Sequence, residues 1–366
     1  MPIQTSLFQK KPHKKKKDFT FIDLFAGIGG TRIAFERNGG ECVFSSEWDK
    51  QCQITYQANF GEIPYGDITK IKESEIPNFD ILVAGFPCQP FSTIGKREGF
   101  KHATQGTLFY DIVRIIDAKK PSAFLLENVP GITNHDGGNT FRIILETLDK
   151  LGYEVFHEIL NAADFGVPQN RKRIYIVGFR RDKLKNKKIT FEHPKPNGKK
   201  RFINEFLESN AKGYSISKYL QDTYLFKKND GRPELIDKNS KIQVKTLVSS
   251  YHKIQRLTGT FVKDGETGIR LLTANECKAI MGFNKDFIIP VSRTQMYRQM
   301  GNSVAIPAVE AVAEKIVDKL KELKIIKEGG DKSVKSNGQQ SRRRIKSKGL
   351  ADRILPETSE QEYSTP

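Results

Sequence analysis

Through its first half the chain alternates short, unbroken apolar runs with longer runs that are apolar on one side only. FTFIDLF (19–25) is apolar and β-rich throughout, the pattern of a strand buried on both faces. AGIGG interrupts it, and Thr31 to Asn38 then reads as a helix closed by Gly39 and Gly40. ECVFSSE (41–47) predicts a second strand, and Asp49 can cap a helix running through Tyr56. FDILVAG (79–85) predicts a strand, TLFYDIVRIIDA (107–118) a helix, AFLLEN (123–128) a strand and NTFRIILETLDKLG (139–152) a helix. YEVFHEIL (153–160) and RIYIVGF (173–179) are further strands. Strands alternating with helices imply an α/β fold, a doubly wound and mostly parallel sheet covered on both faces.

Past Arg180 the texture changes. Residues 181–265 carry many lysines, several Pro and Gly, and weak periodicity. Order returns at IRLLTANECKAIMGF (269–283), where Thr273 can cap a helix. NSVAIPAVEAVAEKIVDKLKEL (302–323) predicts a terminal helix with one apolar stripe of Val309, Val312, Ile316, Leu320 and Leu323. The expected organisation is a flexible basic arm (1–17), a main domain (18–190 plus 296–326), a smaller irregular domain with a hinge (191–295) and a disordered tail (327–366).

Charge narrows the partners. The net charge is +18 at pH 7, which favours a polyanion, nucleic acid being the commonest; a basic surface kept for solubility is the plainer alternative. No apolar run approaches the ~20 residues of a membrane helix, and the lysine-rich start lacks the apolar stretch of a secretory signal. The four cysteines, Cys42, Cys52, Cys88 and Cys277, have neither zinc-site spacing nor the density of a disulfide scaffold. Free thiols and no metal are expected.

Four strand ends carry candidate chemistry. DLFAGIGG is a strand entering a glycine-rich turn and a helix, which is how doubly wound folds hold a nucleotide-like ligand; Arg32 stands where the dinucleotide fingerprint wants a third glycine. Glu47, twenty residues after Gly27, can grip ribose hydroxyls from the end of the next strand. Trp48 beside it could stack on an adenine or simply fill core, and Asp67 in YGDI could meet a purine amino group. Cys88 follows the ILVAG strand in a turn flanked by Pro and Gly, where a cysteine is open to a ligand and can act as a nucleophile. Glu127 closes the next strand, LLENVPG, where burial would raise its pKa; its plainer role is to cap the turn. Arg171 and Arg173 are two apart on an extended segment and face one way, either as a solvated basic face or as a clamp for an anion or carbonyl.

DLFAGIGG, SEWD, GDI, GFPCQPFS, ENVPG, QNRKR, RLLTANECKAIMGF and GNSVAIP occur in this order, and the series closely resembles the DNA cytosine-5 methyltransferases, especially those of bacterial restriction–modification systems. The resemblance covers roughly residues 19–180 and 269–325; IMGFN departs from it, many relatives having a proline after the phenylalanine. It implies a core that binds S-adenosylmethionine, with a small target-recognition domain over 191–295. It places Phe25, Gly27, Glu47, Trp48, Asp67, Ile68, Asn302 and Ser303 at the cofactor. It makes Cys88 the nucleophile, sets Glu127 at cytosine N3, and puts Arg171 and Arg173 near the base carbonyl and the nucleophile; Gln169 and Asn170 have no assigned role. The partners it implies are double-stranded DNA and a separately acting cognate endonuclease, for a monomer in the bacterial cytoplasm. A tRNA cytosine-5 methyltransferase with the same core is the alternative, although the Cys-Phe-Thr signature of that branch is missing. An amino-methylating enzyme would need a Pro-Pro motif that does not occur, and an inactive DNA-binding protein would not need both Cys88 and Glu127.

Overall fold

Six strands form the main sheet: β1 (Phe19–Leu24), β2 (Gly40–Ser46), β3 (Ile81–Gly85), β4 (Ala123–Asn128), β5 (Tyr153–Asn161) and β6 (Lys172–Arg180). They lie in the order β2-β1-β3-β4-β6-β5. Only β6 runs against the others, antiparallel to both β4 and β5. The computed structural model describes residues 17–87, 108–184 and 189–326. The expected basic arm up to residue 16, residues 88–107 with Cys88 among them, residues 185–188, and the expected tail from residue 327 lie outside the described residues.

Alternation within the apolar runs supplies both faces. Phe21, Val83, Leu125 and Val177 face one core, with Ala34 and Phe35 of α1 (Gly30–Arg37) and Val312 and Ile316 of a long terminal helix. Ile22, Leu82, Phe124 and Ile176 face the other, against Ile112 and Ile116 of α3 (Leu108–Lys119) and Ile144 and Leu148 of α4 (Asn139–Lys150). A fully buried Leu, Ile or Phe of this kind contributes about 1.5–3 kcal/mol relative to exposure. Helix α2 (Lys50–Phe60) starts as expected at Asp49, whose carboxylate accepts from the Gln51 amide at 2.7 Å, and it runs four residues past Tyr56 to a Gly61 cap.

The irregular part holds a two-stranded parallel ribbon, β7 (Glu234–Ile236) with β8 (Thr260–Val262), and a short turn of helix α5 (Lys218–Leu220). Its apolar residues, Ile203, Leu225, Ile236 and Phe261 among them, share a core with the first face of the sheet. Thr273 and Glu276 form the expected capping box of α6 (Ala274–Met281). The end of the chain differs from the sequence reading. A separate helix α7 (Arg293–Asn302) precedes the terminal helix, and α8 (Ile306–Glu322) begins only at Ile306, with Pro307 in its first turn. Ser303 and Ala305 are extended, so residues 303–305 form a link where a continuous helix from Asn302 was expected. Of the expected stripe, Val309, Val312, Ile316 and Leu320 are buried, and Leu323, just past the helix end, is half-buried against the same core.

Candidate active site

The chain passes from β1 outward to β2 on one side and to β3 on the other, so the carboxyl ends of β1 and β3 flank a switch point, where open α/β sheets bind ligands. The turn leaving β1 is built for close approach. Phe25 takes φ +58°, rare for a residue with a side chain, and Gly27 and Gly29 are also left-handed. A Cβ on Gly29 would overlap the Phe60 ring, whereas one on Gly27 would meet nothing within 4 Å. The turn is therefore packed behind and open in front.

Glu47 is buried at the end of β2 and closes this turn. Its carboxylate accepts from the Gly27 amide at 2.8 Å and the Asp49 amide at 2.8 Å. Burial raises its pKa, and those amides pull it back. The carboxylate keeps acceptor capacity for a hydroxyl donor beyond these amides. Trp48 is 75% exposed, so the core-filling alternative falls and an aromatic face stands free beside Glu47. Asp67 caps the short turn Ile68–Lys70 by accepting from the Thr69 amide at 3.1 Å, and Ile68 is buried beneath it. Arg114 of α3 braces that turn, donating to the Ile68 carbonyl at 2.6 Å and the Ile71 carbonyl at 3.0 Å. Ser303 closes the other wall: a Cβ on Gly30 would come within 2.9 Å of its hydroxyl. Asn302 beside it is exposed. An open glycine turn, a carboxylate with free acceptor positions and a bare indole fit an adenosine-bearing cofactor.

The chemical edge lies at the ends of β3 and β4. Gly85 pairs in register with Glu127, and because β6 is reversed, its first residues arrive at that same edge. The Arg173 guanidinium sits 3.1 Å from the Glu127 carboxylate. Desolvation raises the Glu127 pKa against the opposing pull of Arg173 and Arg171, so Glu127 retains a proton to higher pH than an ordinary glutamate. It does not cap the following turn. Nor does Asn128, whose side-chain oxygen accepts from the amide of the next residue, Val129, at 2.8 Å, while its amide donates to the Phe86 carbonyl at 2.9 Å. Asn128 thus ties the exit of β3 to the exit of β4, two residues before Cys88. Cys88 itself lies outside the described residues; Pro87, to which it is bonded, is the last residue described there.

The other three cysteines are poor nucleophiles. Burial pushes the Cys42 thiol up to about 12, and also raises Cys52 and Cys277. Arg171 and Arg173 do not form one clamp. Arg171 is buried, its guanidinium donating to backbone carbonyls of Leu247, Gly301 and Ser303. Gln169, unassigned from sequence, is fully buried: it accepts from the Leu247 amide at 2.7 Å and donates to the Ile280 carbonyl at 2.9 Å. Gln299 likewise joins α7 to α2 through Thr55 and the Gln51 carbonyl. Both lie in polar stretches, Gln169 before Asn170 and Arg171 and Gln299 after Arg298, so the sequence carries no signal that either would be buried or which partner it would find. No group of metal-ligating side chains occurs among the described residues, and no described helix is long and apolar enough to cross a membrane.

Residues 19–318 match the family model described as C-5 cytosine-specific DNA methylase. The type II methyltransferase M.MspI of Moraxella sp is 65% identical over 299 residues, covering 82% of this chain and 70% of that protein. The type II methyltransferase M.BsuFI of Bacillus subtilis is 59% identical over 302 residues, covering 82% and 73% respectively. Among solved structures, a DNMT2 of Spodoptera frugiperda superposes with a TM-score of 0.66 at 23% identity, covering 83% of this chain and 99% of that one, a likeness of fold.

Proposed function

Since the chain belongs to the C-5 cytosine-specific DNA methylase family, which methylates carbon 5 of cytosine in DNA, we propose that Cys88, Glu127 and Arg173 form its active centre. We place S-adenosylmethionine in the crevice lined by Phe25, Gly27, Glu47, Trp48, Asp67, Ile68, Asn302 and Ser303. The observation that carries this reading is the register of β3 against β4. It sets Glu127, with Arg173 on it, beside the strand that leads directly into Pro87 and Cys88.

Carbon 5 of cytosine is a weak nucleophile. The Cys88 thiolate adds to carbon 6 while Glu127 protonates or hydrogen-bonds N3, so the electron pair of the 5,6 double bond becomes available at carbon 5. Arg173 holds the Glu127 carboxyl in place during this step. Bound S-adenosylmethionine supplies an electrophilic methyl group. Once carbon 5 carries the methyl, loss of its proton and departure of Cys88 restore the ring. The target atoms lie inside the duplex, so the base has to leave the stack, at a cost of a few kcal/mol.

Residues 191–295 form the target-recognition part of this reading, and 18–190 with 296–326 the catalytic part. Arg256 supports the assignment by clamping one loop of the former. It donates to the Leu225 carbonyl at 2.9 Å, the Lys228 carbonyl at 2.9 Å and the Asp230 carboxylate at 2.9 Å. Exposed Lys228, Asn229 and Arg232 are thereby held on a preformed loop facing Lys245 and Lys263. The chain acts as a monomer in a bacterial cytoplasm, beside a cognate endonuclease that works separately.

A duplex with fluorine at carbon 5 of the target cytosine tests the mechanism, because fluorine cannot leave as a cation. The chain should stall as a cofactor-dependent adduct that survives denaturing gels and maps to the GFPCQPF peptide. Cys88→Ser should abolish it, and alanine at Cys42, Cys52 or Cys277 should not. A crosslink at one of those three, or one that persists in Cys88→Ser, overturns the assignment.

A further inference from the structure

Arg171 joins three stretches of chain that are far apart in sequence. It precedes β6, and only 2% of its surface is exposed. One terminal nitrogen donates to the Leu247 carbonyl at 3.0 Å, in the proposed recognition part. The other donates to Gly301 at 3.0 Å and Ser303 at 2.5 Å, at the end of α7 and in the link that walls the proposed cofactor crevice. Its Nε is buried with no partner. Burial pushes its pKa down to about 9, Arg173 adds to that, and Glu127 opposes it. Such a group is held in place by its carbonyl partners, and its nearby countercharge is the catalytic carboxylate.

The neighbours make this joint stiff. Val244 bonds on both sides of Gln169, accepting from the Asn170 amide at 2.8 Å and donating to the Pro168 carbonyl at 2.9 Å. Thr246 donates its hydroxyl to the Asn170 carbonyl at 2.6 Å. Gly301 packs so closely on Val248 and Ser249 that a Cβ would overlap their backbone. Residues 243–249 therefore cannot shift on bound DNA without moving Arg171, and Arg171 cannot move without releasing the Gly301–Ser303 wall or altering the field at Glu127.

We infer that Arg171 is a positioning residue that couples the seating of the recognition part on DNA to the closure of the cofactor crevice, and is not itself a contact to the reacting base. The inference rests on the reading of the crevice and the recognition part given above. A planar guanidinium reaching three carbonyls at fixed angles is suited to this, and a lysine in its place keeps the charge but loses the fork.

Affinity for the demethylated cofactor S-adenosylhomocysteine, which cannot turn over, is measured by calorimetry, without DNA and with a saturating cognate duplex, for the native chain, Arg171→Lys and Thr246→Val. The native chain should bind cofactor about tenfold more tightly with the duplex than without it, within the usual range for coupled sites. Arg171→Lys should retain each single-ligand affinity within about threefold and lose the enhancement, with a fall in kcat. Thr246→Val, a milder change at the same joint that keeps the variant set informative if Arg171→Lys fails to fold, should lose part of it. Coupling retained in the variants, or absent from the native chain, overturns the inference. Asn302→Ala is the separate check on the crevice: cofactor affinity unchanged in that variant removes the reading beneath the inference, whatever Arg171 does.

Discussion

The six-stranded sheet and the irregular segment beside it are held together by different means. The sheet buries aliphatic and aromatic side chains on both faces, and its strands satisfy their backbone groups by pairing with one another. The segment has the three-residue pair β7 and β8 and a few isolated bridges, so much of its backbone must find side-chain partners. Buried arginines supply them. Arg270 is fully buried and gives bonds to Glu276 at 2.8 and 2.9 Å, to Asp264 at 2.8 Å and to the carbonyls of Glu208 and Leu271. Arg256 does the same for the loop after Leu225. The comparison teaches that positive charge in this chain has two uses. Part of the +18 faces outward, as DNA binding requires, while several arginines are internal struts whose charge is matched before any ligand arrives.

The largest expected effect is on the strut. Arg270→Met leaves Glu276 and Asp264 buried or half-buried without their cation, which should cost about 3–5 kcal/mol of unfolding free energy. Urea titration followed by circular dichroism measures it. A loss under about 1 kcal/mol would mean that the segment is held by its apolar core, as the sheet is, and the contrast would disappear.

Next comes the sheet edge. On the proposed mechanism Glu127→Gln keeps the shape and removes the proton donor, so turnover should fall on the order of a hundredfold or more with duplex affinity little changed. Single-turnover methyl transfer and a binding titration separate the two. Equal losses in both would place Glu127 in DNA binding, erasing the division between an edge that reacts and a segment that reads.

The smallest effect sharpens the two uses of charge. Lys245 is exposed and has no ion pair among the described residues. Lys245→Ala should lower the slope of log affinity against log salt by about one while stability stays within about 0.5 kcal/mol. A slope that does not move would show that Lys245 lies off the DNA path.

Sequence alone settled what depends on local pattern. Short apolar runs ended by Gly, Pro or polar residues marked β1, β3 and β4, because a strand buried on both faces is apolar nearly throughout. Asp49 and Thr273 marked helix starts, because a cap acts within three residues of itself. Cys88, Glu127 and Glu47 were legible as candidates because strand ends in such a sheet converge on one edge. Pattern did not settle the reversal of β6, since an antiparallel and a parallel buried strand look alike in one dimension; yet that reversal delivers Arg173 to Glu127. Nor did it show α7 or the late start of α8, because Asn302 to Ala305 contain nothing that forbids a helix until Gly301 is seen pressed on Ser249. Arg171 and Arg173, identical and two apart, were given one role. The fold buries the first among carbonyls and sets the second against a carboxylate, and only tertiary structure decides this, because a guanidinium's task is set by the acceptors the rest of the chain brings to it.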